Sequence, residues 1–147
     1  MSNGYETLAE DYAPLELAKL LKKAGYDWPC MGYWSKQRWQ GGGGDYGLTL
    51  NCNVVANHNT VRGHYSAPLL QHVIKWLDCR GIVVEVCAAM FNEADGVDII
   101  YHAQFCSGHD LADGKEDYEH YIGSFTTMYN AINAGLLEAV KHYANGK

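Results

Sequence analysis

The residues of this chain best suited to chemistry sit late in it, where His102, Cys106 and His109 bracket the segment Cys106-Ser107-Gly108-His109 and Asp110 adjoins it. A cysteine nucleophile acts as its thiolate and needs a neighbouring base, so a Cys/His pair is the minimum for acyl or group transfer. If this segment is extended, His102, Gln104 and Cys106 share one side of a strand, each pair ~6–7 Å apart along it. That spacing puts His102 and Cys106 on one surface but beyond direct hydrogen-bond reach. Surface polar residues and a thiol at a strand end account for the same letters without catalysis.

Seven histidines also raise the question of a metal. His58 and His64 flank a turn, while His102, His109 and His120 lie on or after the last strand. Zinc ligands commonly come as tight pairs such as CxxC or HxxxH, whose spacing lets neighbours converge. No such pair is present, so the spacing predicts neither a metal nor another cofactor. Asp110, Asp113, Glu116, Asp117 and Glu119 do not follow the residue order of an EF-hand loop and read as a solvated acidic loop. The run Gly41–Gly44 has no following lysine and leads into a strand, so it reads as a hairpin connection and not as a phosphate loop.

The elements that must position these residues follow from periodicity. Leu17, Leu20, Leu21 and Ala24 recur at helical spacing opposite Lys19, Lys22 and Lys23, which predicts a first helix over Pro14–Ala24, stopped by Gly25. Strands are predicted over Cys30–Lys36 and Leu48–Ala56; in the second, Leu48, Leu50, Cys52 and Val54 oppose Thr49, Asn51 and Asn53. A second helix over Ala67–Cys79, capped by Ser66, carries the stripe Leu69, Leu70, Val73, Ile74, Trp76 and Leu77 and ends at Gly81. Ile82–Phe91 and Asp98–Cys106 then read as an antiparallel hairpin, Ser107–Tyr121 as a loop, and Ser124–Tyr143 as the last helix. Gly135 inside that helix costs ~1 kcal/mol against alanine, which predicts close packing against a neighbour.

The order is α-β-β-α-β-β-α. Hairpin-linked strands predict a single α+β domain over residues 1–147, with a mainly antiparallel four-stranded sheet and the helices on one face. Leu50, Val84 and Phe105 should lie under the helices. Trp34, Asn51, Val55, Glu85, Cys87, Ile100, His102 and Gln104 should line the other face, a mixture of apolar and polar groups that fits a contact surface.

Composition narrows the partners. The net charge is −6, against the basic stripe that a nucleic-acid surface needs. No apolar run approaches the ~20 residues of a membrane span, and no signal peptide is expected. Five cysteines without CxxC spacing predict a reduced, cytoplasmic protein whose thiols are mostly buried as small hydrophobes.

Three stretches carry a resemblance: Pro14 to Asp27, Ala67 to Val86, and Ala131 to Ala139. They resemble a group of small uncharacterised α+β proteins of gut Bacteroides-type bacteria and their phages and mobile elements. The resemblance implies the fold and a bacterial or mobile-element origin, and it implies no site residue. The expectation is therefore a non-enzymatic interaction or accessory protein that binds a protein partner or itself, as a two-fold homodimer, through an open sheet face. The alternative is a small enzyme or metal-binding protein using His102, Cys106 and His109.

Overall fold

The computed structural model describes residues 9–37, 44–50 and 54–146. The fold is α+β, with helices α1 (Leu15–Ala24), α2 (Leu70–Asp78), α3 (Gly108–Ala112) and α4 (Met128–Asn145). Its strands are β1 (Gly32–Lys36), β2 (Tyr46–Leu50), β3 (Tyr65–Ser66), β4 (Ile82–Glu93), β5 (Gly96–Ser107) and β6 (Glu119–Phe125). The chain divides into two compact units, Met1–Leu70 and Gln71–Lys147. Among the described residues, no helix is long and apolar enough to cross a membrane.

The strands form two antiparallel three-stranded sheets, ordered β2-β1-β3 and β4-β5-β6. This corrects the expected single four-stranded sheet. Each predicted hairpin recruits a third strand of its own. In the first, Tyr33 and Trp34 pair with Ser66 and Tyr65; in the second, Tyr101–Cys106 pairs with Glu119–Phe125.

In the first unit, α1 buries Leu17, Ala18, Leu21 and Ala24. Its outer lysines are more than a solvated face. Lys22 Nζ donates to the His64 carbonyl at 2.8 Å, and Lys19 lies 4.9 Å from the centre of the Tyr46 ring. Asn59 ties the unit together: its Nδ2 donates to the Tyr26 carbonyl at 2.9 Å, and its Oδ1 accepts from the Ser66 amide at 2.8 Å. Ser66 is thus a buried strand residue and not the cap of α2. Ala67 precedes Pro68, which disfavours a helical backbone there; the Ala67 amide instead donates to the Gly32 carbonyl, and the helix starts at Leu70. Leu50, expected under the helices, is 46% exposed, at the end of β2, an edge strand of its sheet. Asn51 and Cys52 lie outside the described residues.

In the second unit the β4–β5 hairpin is continuous from Ile82↔Ser107 to Glu93↔Gly96. Val84 pairs with Phe105 on the face covered by α4, and Glu85 pairs with Gln104 on the opposite face. A Cβ on Gly135 would stand 3.0 Å from Val84 Cγ1, so α4 packs on β4 more tightly there than a side chain ordinarily permits. Gly81 ends α2 with φ +79 and accepts from the Gly108 amide at 2.7 Å, which docks α3 against the same turn. Trp76 is fully buried with Tyr143 edge-on at 5.4 Å, and Arg80 covers its ring at 3.9 Å.

The predicted loop over 107–121 contains both α3 and the start of β6. Of the four described cysteines only Cys30 is buried; Cys79 and Cys87 are exposed, which corrects the expectation of mostly buried thiols.

Candidate functional site

Strand alternation assembles most of the expected contact surface on one face of the β4-β5-β6 sheet. Cross-strand pairing sets Glu85 opposite Gln104, Cys87 opposite His102 and Ala89 opposite Ile100. Trp34 belongs to the other sheet, where its Nε1 donates to the Ala13 carbonyl at 2.9 Å, so it is not part of this face. On the face itself Gln104 Nε2 donates to Glu85 Oε2 at 2.7 Å. His102 Nδ1 lies 3.0 Å from both the Tyr121 hydroxyl and Ser124 Oγ, two groups that β6 contributes.

The hairpin outreaches its cover. β5 has β6 beside it only from Tyr101 to Cys106, so the distal part of β4–β5 is a two-stranded ribbon. Met90 is 70% exposed, Val97 63%, Phe91 48% and Ile99 40%. Pairing puts Met90 and Ile99 on the α4-facing side and Phe91 on the other, so both surfaces of the ribbon expose apolar side chains.

The residues of the alternative Cys/His reading, His102, Cys106 and His109, each have partners or surroundings of their own. His102 is engaged by Tyr121 and Ser124. His109 lies on α3 with its Nε2 3.0 Å from the Arg80 carbonyl. Burial, with Glu85 and Glu119 nearby, pushes the Cys106 thiol above its ordinary pKa, the opposite of what a nucleophile requires.

A different cluster forms on the α4-covered side, from residues that no sequence pattern linked. Asp110 from α3, His120 from β6 and His142 from α4 bring one ligating atom each within 4.8 Å of one another. Asp110 is buried, 6% exposed. Nε2 of His120 and Nε2 of His142 each lie 3.0 Å from the same oxygen, Asp110 Oδ2, while Lys115 Nζ donates to Oδ1 at 3.2 Å. These contacts, the His120 hydrogen bond foremost, hold the Asp110 carboxyl at about 2 against the upward pull of burial. Phe105 stacks on His120 with centroids 4.5 Å apart and lies 5.3 Å from His142, fixing both imidazoles. A cleft of about 520 Å³ runs past His120, Glu138, Lys141 and His142, and a second of about 490 Å³ reaches Asp110 and His142 from beside Arg80 and Lys115. Among the described residues this trio is the one such group of His, Cys, Asp or Glu with the reach to hold an ion.

Sequence reasoning placed Asp110 beside the Cys106–His109 segment and in an acidic loop, and singled out His142 not at all. The usable signal was weak: a histidine one turn from the end of the longest amphipathic helix. No protein-family model, curated protein or solved structure matches this chain.

Proposed function

We propose that this chain is a self-associating interaction protein whose contact surface is the open face of β4-β5-β6 and the ribbon projecting from it, and whose partner is a second copy. The observation that carries this reading is the exposed apolar ribbon of Met90, Phe91, Val97 and Ile99. A two-stranded ribbon with apolar groups on both sides is marginal in water and gains from being covered.

A second copy fits best because of the edge beside that ribbon. Among the described residues β4 pairs with β5 alone. Its outer N–H and C=O groups form a template for another strand, and β4 against β4 in antiparallel register closes under a two-fold axis without growing into a fibre. The ribbon tip carries Glu93, Asp95 and Asp98, which repel a polyanion, and the net charge of −6 acts in the same direction. A stable interface of this kind buries ~800 Å² per copy.

Sedimentation velocity from ~1 to ~100 µM tests the reading, since interfaces of micromolar strength dissociate within that window. A dimer is expected, reduced to monomer by the paired substitutions Met90→Lys and Val97→Lys with the far-UV circular dichroism unchanged. A strict monomer at ~100 µM refutes it.

A further inference from the structure

We propose that Asp110, His120 and His142 form a binding site for one divalent first-row transition ion of the zinc class, held by Oδ2 of the aspartate and Nε2 of both histidines. The ligand set is the first reason. Two imidazoles and one carboxylate suit zinc, iron, cobalt or nickel and not calcium or magnesium, which take oxygen shells. Geometry is the second. An ion ~2.1 Å from each ligand atom needs those atoms ~3.0–3.4 Å apart, and both nitrogen–oxygen separations are 3.0 Å. The remaining separation, between the two histidine nitrogens, is within 4.8 Å, so a closure of at most ~1.8 Å, shared between two imidazoles about one-third exposed, completes the triangle.

Charge neutralisation alone explains the arrangement poorly. Lys115 faces Oδ1 of Asp110, while both imidazoles converge on the same Oδ2. The two imidazoles, with centroids 4.7 Å apart, would repel if both were cationic, whereas a dication between them and Oδ2 makes the convergence favourable.

The surroundings match a ligand shell. Lys115 orients the carboxylate through Oδ1 and leaves Oδ2 to the ion, and Phe105 holds His120 flat against it. Binding uses the neutral imidazoles with hydrogen on Nδ1, so that both Nε2 lone pairs face the ion. Three protein ligands leave at least one position for water or a small anion, and the two clefts give that position access to solvent. Three-ligand sites with an open position are the pattern of zinc centres that exchange ligands, as opposed to closed structural ones.

The test is calorimetric titration of the full, chelator-stripped chain with Zn²⁺ alone, with Co²⁺ substitution as a spectroscopic readout. One ion per chain is expected, and the cobalt spectrum should lack a thiolate charge-transfer band, separating this site from the cysteines. Asp110→Asn and His142→Gln should each weaken binding more than ~100-fold, beyond the ~10–100-fold of outer-shell losses. His142 is one-third exposed, so its substitution leaves the fold intact even if that of the buried aspartate does not. Absence of saturable binding, a thiolate band, or unchanged affinity in both His120→Gln and His142→Gln overturns the proposal.

Discussion

Replacing Gly135 with valine tests the tightest glycine packing among the described residues of the second unit. A Cβ built there meets Val84 Cγ1 at 3.0 Å, with Ala103 Cβ at 3.8 Å and Ile122 Cδ1 at 3.9 Å beyond it. Carbon atoms pack best at ~3.5–4.0 Å, so the first added atom already overlaps its neighbour. Alanine would recover ~1 kcal/mol of helix propensity and lose a comparable amount to that overlap. Valine adds two further carbons, gains less propensity because it is β-branched, and drives α4 off the sheet; ~2–4 kcal/mol of destabilisation is expected. The obstruction is mainly one side chain, so Val84→Ala should relieve it. The double variant should be at least ~1 kcal/mol more stable than the sum of the single effects predicts. Urea denaturation of the four proteins measures this cycle. A Gly135→Val chain as stable as the parent, or strictly additive effects, would refute the packing of α4 on β4.

Three further outcomes follow from particular contacts. Asn59→Ala removes hydrogen bonds to the Tyr26 carbonyl and the Ser66 amide, and because Ser66 is fully buried the loss should be ~2–3 kcal/mol in urea denaturation. Trp34→Phe removes the bond to the Ala13 carbonyl together with part of the half-buried indole and should cost ~1–2 kcal/mol in urea denaturation, an unchanged stability refuting the bond. Cys106 should alkylate more slowly than a free cysteine at mildly alkaline pH, because a raised thiol pKa leaves less thiolate until the pH climbs through it; mass spectrometry of the labelled peptide showing faster labelling would restore a thiol-based chemistry.

What could be read in advance was whatever had a period. The proximal half of the β4–β5 hairpin alternates, and its faces separate Val84 and Phe105 from Glu85 and Gln104 as the alternation requires. Gly135 was informative for the same reason, as an interruption of an otherwise regular helix. β6 was not legible. A register shift beside Ala103 and Gln104 breaks its alternation, and Glu119, His120, Gly123 and Ser124 make it look like loop. β3 has two residues and no period at all, so the split into two sheets lay outside any pattern argument. The Asp110, His120 and His142 cluster was hidden for a third reason. Its members come from a short helix, a strand and a long helix, and only tertiary folding brings them together. Cys106 stood out through its proximity in sequence to two histidines, whereas the burial and the nearby Glu85 and Glu119 that raise its thiol pKa come from the fold.

Association of two copies through the free edge of β4 is open to amide hydrogen exchange resolved along that strand. The outward-pointing amides of Ile82–Glu93 should exchange quickly in dilute protein and become protected as concentration rises through the association range, in step with the growth of dimer. Equal exchange of those amides at low and high concentration, with the protein associated or not, would contradict it.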